Sequence, residues 1–376
     1  PEHVAAIASA ARMFGGGASI GPAPIAAPGD AGATRAGGGK GGKGTAAAAM
    51  PAIPVKDRSL LASKIWRIWE ERLGCGTRKQ APQGPEDFVV SVEVNPAPGL
   101  STAKPVATAR MLRKGGVDVI NIADGPRATV RMSNSALAEA IQREVGSETI
   151  LHMCCRDRNL LGLLSDLLGN HSRGLHNMVV ITGDPPKMGD YPKATAVFDV
   201  DSVGLLRIIK GLNTGLDPAG KSFDAQARFF CATGAEPGAV DYEREMRRLR
   251  DKIDAGADLV MTQPVYDSDV MRRFLADVAA LPRPVPVLLG LCPLVSSRNA
   301  DFLHNEVPGM SVPQGIRDRM ARAGGGPAGQ AEGVAIAQEM LEEFKDQVVG
   351  CYVMPQLGKY DLALDVLAGL GYGKDD

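Results

Sequence analysis

The sequence has no excess of either charge: 42 Lys and Arg stand against 43 Asp and Glu, a formal net charge of −1 over 376 residues. It therefore carries no global field to attract nucleic acid or anionic lipid, and neither is expected as a partner. No run approaches the ~20 consecutive apolar residues of a membrane-spanning helix, and the N-terminus lacks the basic-then-apolar pattern of a secretory signal. A cytoplasmic protein is the expectation. Six cysteines in so long a chain make no disulfide framework. No CxxC pair argues for structural zinc, and no metal site is expected. Cys75, Cys154, Cys155, Cys231, Cys292 and Cys351 fall mostly in strand-like segments and read as buried free thiols. The HExxH, GxSxG and kinase-type clusters are missing as well.

Glycine and proline are plentiful, at 45 and 26, but unevenly spread. Residues 15–56 are dominated by Gly, Ala and Pro and hold too few large apolar groups to offset the entropy of ordering, so they read as a linker. Within it GKGGKGT at 39–45 has neither the spacing nor the strand-to-helix context of a phosphate loop. Residues 1–14 read as a short helix with Val4, Ile7 and Ala11 at helical spacing. Residues 57–73 form a clearer amphipathic helix, with Leu60, Leu61, Ile65, Ile68, Trp69 and Leu73 largely on one face and Asp57 or Ser59 able to cap it. Trp66 and Trp69 read as packing anchors. A loop through 87 leads into the main body.

From 88 onward short β-branched runs alternate with helical patterns. The strand-like runs are 88–95, 117–124, 149–155, 177–184, 228–235, 257–264, 285–293 and 348–355. Helical patterns follow at 102–114, 133–145, 159–168, 200–212, 242–255, 267–280, 299–306 and 359–370, with extra segments at 313–323 and 332–346. Strands each followed by a helix predict an α/β fold, a (β/α)8 TIM barrel over 88–376 with an N-terminal helical and linker extension. An open doubly wound sheet is the fallback, but NPAPG at 95–99 is not its Gly-rich fingerprint.

In such a barrel the chemistry sits at the C-terminal ends of the strands. Those ends carry Glu93 and Asn95, Asp124, His152, Thr182, Gly183 and Asp184, Gln263, and Gln356. Glu93, between Val92 and Val94, points either into the barrel or toward the helices. Pointing inward it is a candidate general acid; pointing elsewhere it is a salt-bridged interior carboxylate. Asp184 precedes Pro185 and Pro186, where turn formation is the simpler role. His152 on a buried strand reads first as a hydrogen-bonded core residue. Gln263 offers a neutral amide suited to the edge of a heterocycle. Glu245 and Lys252 share a helix face, ordinarily a solvated one.

At these residues the chain resembles the 5,10-methylenetetrahydrofolate reductase family. The resemblance runs from about 88 to the C-terminus and rests on VSVEVNP at 90–96, HMCC at 152–155, ITGDPP at 181–186 and IDAGADLVMTQPVYD at 253–267, in order. VINIADGP at 119–126 with RMSN at 131–134 looks most like the branch fused behind a homocysteine methyltransferase, and PEHVAAI at 1–7 looks like the segment that ends such a methyltransferase. The methyltransferase's zinc-binding cysteines are missing.

The resemblance implies a barrel that binds FAD at its strand ends and reduces the methylene bridge of its folate substrate to a methyl group, in one-carbon metabolism leading to methionine. NADH or NADPH is the implied electron donor, and a homo-oligomer and a methyltransferase domain or partner are implied as well. Glu93 would be the acid assisting iminium formation, Asp184 would tune the flavin and orient folate, and Gln263 and Asn299 would face the pterin. Asp124, His152, Thr182, Gly183, Phe198, Glu245 and Lys252 match flavin-contacting positions. Thr182 stands where an Arg often precedes Gly-Asp, Phe198 replaces a Tyr, Asp251 a basic residue and Asn299 a Gln. The competing readings are a flavin-free folate- or pterin-binding protein and a non-catalytic barrel tethering a methyltransferase.

Overall fold

The computed structural model describes residues 48–73, 80–307 and 309–370. The expected helix at 1–14, most of the linker, Cys75 and the methyltransferase-like segment lie outside the described residues. Among the described residues no helix is long and apolar enough to cross a membrane.

Strands β1 (Val89–Glu93), β2 (Val119–Ile122), β3 (Thr149–Cys154), β4 (Asn177–Ile181), β5 (Phe230–Ala235), β6 (Leu259–Thr262), β7 (Val287–Leu291) and β8 (Gly350–Val353) form a closed barrel in sequence order. All pair in parallel, and β1 closes on β8 with Ser91 opposite Tyr352. The outer layer is α2 (Ala103–Lys114), α3 (Asn134–Val145), α4 (Leu160–Ser172), α5 (Ser202–Leu212), α6 (Tyr242–Ala255), α7 (Ser268–Ala279), α8 (Ser297–Glu306), α9 (Gln314–Ala323), α10 (Gly326–Phe344) and α11 (Tyr360–Ala368). Among the described residues, the expected barrel strands and the helices around them are present. Most strands are shorter than the expected runs at one or both ends, while β5 ends at Ala235 as expected. Helix α10 starts at Gly326 rather than 332, since Pro327 in its first turn needs no hydrogen-bond donor there.

Both faces of a barrel strand are buried, so the runs are apolar throughout and hydropathy alone does not say which face is which. Packing does. Val90 and Val92 belong to the cluster between sheet and helices, whereas Val89, Val119, Ile150, Val179, Phe230, Leu259 and Leu288 belong to the barrel interior. Alternation then turns Ser91 and Glu93 inward on β1, and His152 inward on β3.

The same interior cluster contains Leu61, Ala62, Ile65 and Ile68. These are the buried residues of α1 (Leu60–Ile68), which continues into a π-helical turn, Trp69–Leu73. The amphipathic helix preceding the barrel is thus its floor, closing the N-terminal end. Polar bonds to the strand starts fix it. Ser59 Oγ caps the helix by accepting from Ala62 N and donates to Asn177 Oδ1 at 2.6 Å. Glu148 accepts from the N–H groups of Leu60 and Leu61. Arg58 pairs with Asp258 at 2.9 Å and Lys64 with Asp118 at 2.7 Å, and Arg72 donates to the carbonyls of Lys345 and Val348. The last residues of the expected linker also rest on the barrel: Met50 N donates to Thr214 O, and Pro51 O accepts from Gln226.

Candidate active site

With the floor closed, the opposite end holds a cavity of about 500 Å³, within the roughly 300–1,000 Å³ typical of small-molecule sites. Its lining includes Glu93, Asp124, Arg127, His152, Arg156, Gly183, Asp184, Gln263, Cys292, Met354 and Gln356, one or more from the ends of β1 to β4 and β6 to β8. Side chains distant in sequence converge here because strand parity turns them inward.

Glu93 ends β1, half-buried, and its Oε2 accepts a hydrogen bond from the Tyr352 hydroxyl of the adjoining β8. Beside it runs a second chain of bonds: Asn121 donates to Ser91 Oγ at 2.8 Å, and Asn121 Oδ1 lies 3.0 Å from His152 Nε2. His152 is therefore both hydrogen-bonded in the core, as its strand position suggested, and exposed to the cavity. Burial pushes its pKa below the ordinary imidazole value, outweighing Glu93 and Asp124, so the ring is neutral at pH 7.

On the other side of the mouth, the loop after β2 and the loop after β4 are tied together. Asp184 Oδ2 accepts from Arg127 N at 3.0 Å, and Asp190 from Val130 N at 3.2 Å. Asp184 thus has a loop-tying role as well as a place on the cavity. Arg127 (φ 54°) and Ala128 (φ 55°) are held in the left-handed region, a conformation costly for residues with a side chain. Arg127's guanidinium, exposed at the cavity edge, has no ion pair among the described residues. Asp124 accepts three bonds from Arg158, at 2.9, 3.0 and 3.0 Å, and one from Cys154 N. Arg156, nearly buried, forms a fork on Asp157 and reaches the Asp184 carbonyl at 3.3 Å. Gly183 has φ 97°, and a β-carbon there would meet Cys154 Cβ at 2.9 Å; only glycine lets this turn pass so near β3.

Other expected site residues lie off the cavity. Thr182 has the outward parity: its Oγ1 sits 3.3 Å from Ser202 N at the start of α5. Phe198 packs on the helix-facing core. Glu245 and Lys252 are not on a solvated face. Glu245 accepts from Glu236 N at 3.1 Å, and Lys252 donates to Gly234 O at 2.8 Å, with burial pushing the lysine's pKa down against the pull of Glu245. Asn299 Oδ1 accepts from Val295 N at the start of α8. Cys154, Cys155, Cys231, Cys292 and Cys351 are buried and free; burial pushes Cys154 and Cys155 up to about 12, making both thiols inert at neutral pH. Among the described residues no acidic, His or Cys group is arranged to hold a metal.

Sequence reasoning missed Tyr352, Asn121, Arg127 and Arg156. The inward parity of Tyr352 and Asn121 is a signal once one strand's facing is known. The arginines lie in loops, where alternation gives no guidance.

The family model for methylenetetrahydrofolate reductase matches residues 78–371. A probable methylenetetrahydrofolate reductase (NADH) of Oryza sativa subsp. japonica is 26% identical over 62% of this chain. The 5,10-methylenetetrahydrofolate reductase of Salmonella typhimurium is 22% identical over 48% of this chain and 56% of its own length. The chain spans 40% of the length of the rice relative. Among solved structures, a Clostridium thermocellum protein described as binding two copies of 5-methyl-5,6,7,8-tetrahydrofolic acid superposes with a TM-score of 0.56 at 15% identity, over 83% of this chain and 99% of that one; a likeness at that identity shows a common fold. Barrel, motifs and family match agree, and the chain belongs to the methylenetetrahydrofolate reductase family.

Proposed function

We propose that this chain reduces 5,10-methylenetetrahydrofolate to 5-methyltetrahydrofolate, with FAD as the hydride carrier and NADH or NADPH as the electron source. The observation that carries this reading is Glu93: an inward carboxylate at the mouth of the barrel, on the cavity shared by Asp184 and Gln263. The family match supports the substrate class.

The donor set fits a flavin. Neutral His152 and the amides of Gln263 and Gln356 suit the edge of a heterocycle, and Arg127 and Arg156 bring positive charge to the same cavity for a diphosphate. They complement the outward-turned Thr182, which stands where an Arg is often found. When bound, the reduced flavin supplies the hydride. Glu93 donates a proton to N10 of the folate as the bond from N10 to the methylene carbon breaks, leaving an N5 iminium whose carbon accepts the hydride. Gln263 hydrogen-bonds the pterin, and Asp184, fixed by the Arg127 amide, orients folate against the cofactor. Leu303, Val307, Met310 and Met354 on the cavity wall exclude water.

The test is stopped-flow absorbance of protein loaded with FAD. Bleaching of the flavin band by NADH or NADPH, followed by recovery on adding methylenetetrahydrofolate, is expected. A protein that takes up no FAD, or whose reduced flavin is not reoxidised by the folate, overturns the proposal.

A further inference from the structure

Glu93 makes one side-chain hydrogen bond among the described residues, and it comes from the far end of the chain. Ser91 is the direct partner of Tyr352 across the β1–β8 seam, so Tyr352 lies one pleat below Glu93 and its phenol spans the difference to Oε2. The ring is 5% exposed, within the apolar interior of the barrel. It meets the His152 ring edge-on, with centroids 6.5 Å apart. Burial, then the neighbouring Glu93, pushes the phenol well above its ordinary value, which keeps it a donor throughout the working range. The other titratable groups facing Glu93 are His152 from β3, Cys292 after β7 and Tyr360 on α11, and Asp124 after β2 lines the same cavity. None of them hydrogen-bonds its carboxyl.

We propose that Tyr352 is a positioning residue for the acid: its hydroxyl fixes Oε2, leaves Oε1 without a partner among the described residues, and stabilises the carboxylate that remains once the proton has gone to folate. This rests on the reading of Glu93 as the acid. A donor to the charged form makes a carboxylic acid stronger, so removing it has two signed consequences. Proton transfer from the acid form slows, and the acid form persists to higher pH.

Tyr352→Phe keeps the ring and deletes the bond. Flavin reduction by the pyridine nucleotide should be unchanged. Flavin reoxidation by methylenetetrahydrofolate should fall about tenfold to a hundredfold on its low-pH plateau, the range for losing one hydrogen bond to a charged group. The pH at which that rate declines should move upward. In a Glu93→Gln background the second substitution should add nothing. Loss of packing alone would not move the pH profile. An unchanged reoxidation rate and profile in Tyr352→Phe overturn the proposal.

Carboxyl NMR of glutamate-labelled protein without substrate separates this inference from the proposed function. The Glu93 titration midpoint should rise in Tyr352→Phe whether or not folate is turned over, and an unmoved midpoint overturns the positioning role. Should Tyr352→Phe fail to fold, 3-fluorotyrosine incorporated at position 352, a more acidic phenol of nearly the same shape, should lower that midpoint; a midpoint equal to wild type then overturns it. A wild-type protein that does not reduce the folate refutes the function alone.

Discussion

Individual side chains at the mouth divide the expected labour between two acids. Glu93, proposed as the proton donor, has its one side-chain hydrogen bond among the described residues from Tyr352, whereas Asp184 is engaged by the Arg127 amide. Glu93→Gln should retain flavin and its reduction by the donor while losing folate reduction by about a hundredfold or more, the usual contribution of a positioned acid; turnover at the wild-type rate would refute the assignment. Asp184→Asn keeps an acceptor for the Arg127 amide but removes a charge from the cavity. Slower folate reduction and altered flavin reactivity are expected, and unchanged kinetics in both half-reactions would leave Asp184 with only its loop-tying bond. Residue-level reading could name these two because each lies near the C-terminal end of a strand-like run. It could not name Tyr352, which lies 259 positions from Glu93.

At the scale of elements, α1 decides whether the barrel has a floor. Ile65 is fully buried against the first inward residues of the strands, so Ile65→Ala should cost about 2–5 kcal/mol, transfer and cavity terms together. Urea denaturation would measure it, and a loss below about 1 kcal/mol would show that the floor packs loosely. Ser59→Ala removes both the cap on Ala62 N and the bond to Asn177, and about 1–2 kcal/mol is expected. The amphipathic face of this helix was legible in the sequence, since its 3.6-residue period is local. What the face covers was not, because the strand starts that receive it are spread from Val89 to Val349.

For the whole molecule, pH acts through histidines held neutral. His152, His171 and His176 all have pKa values pushed below 6.5, chiefly by burial, and His171 Nε2 is buried with no hydrogen-bond partner among the described residues. The unfolded chain therefore binds protons first as pH falls below about 6.5, and stability present above that value is lost on acidification toward the folded-state pKa values. The thermal midpoint should fall between about pH 7 and pH 5, and His171→Gln should make that slope shallower. A midpoint that stays flat across the window would contradict the neutral, buried state of these rings. The sequence by itself determined the order and type of the elements and the residues that carry the family motifs, because hydrophobic period, turn chemistry and motif spacing are local properties. Only the tertiary structure decided that Glu93 faces the cavity and Thr182 does not, that β8 brings Tyr352 to β1, and that the preceding helix is the floor. Where both faces of a strand are buried the two parities look alike in sequence, and closure of the barrel is what tells them apart.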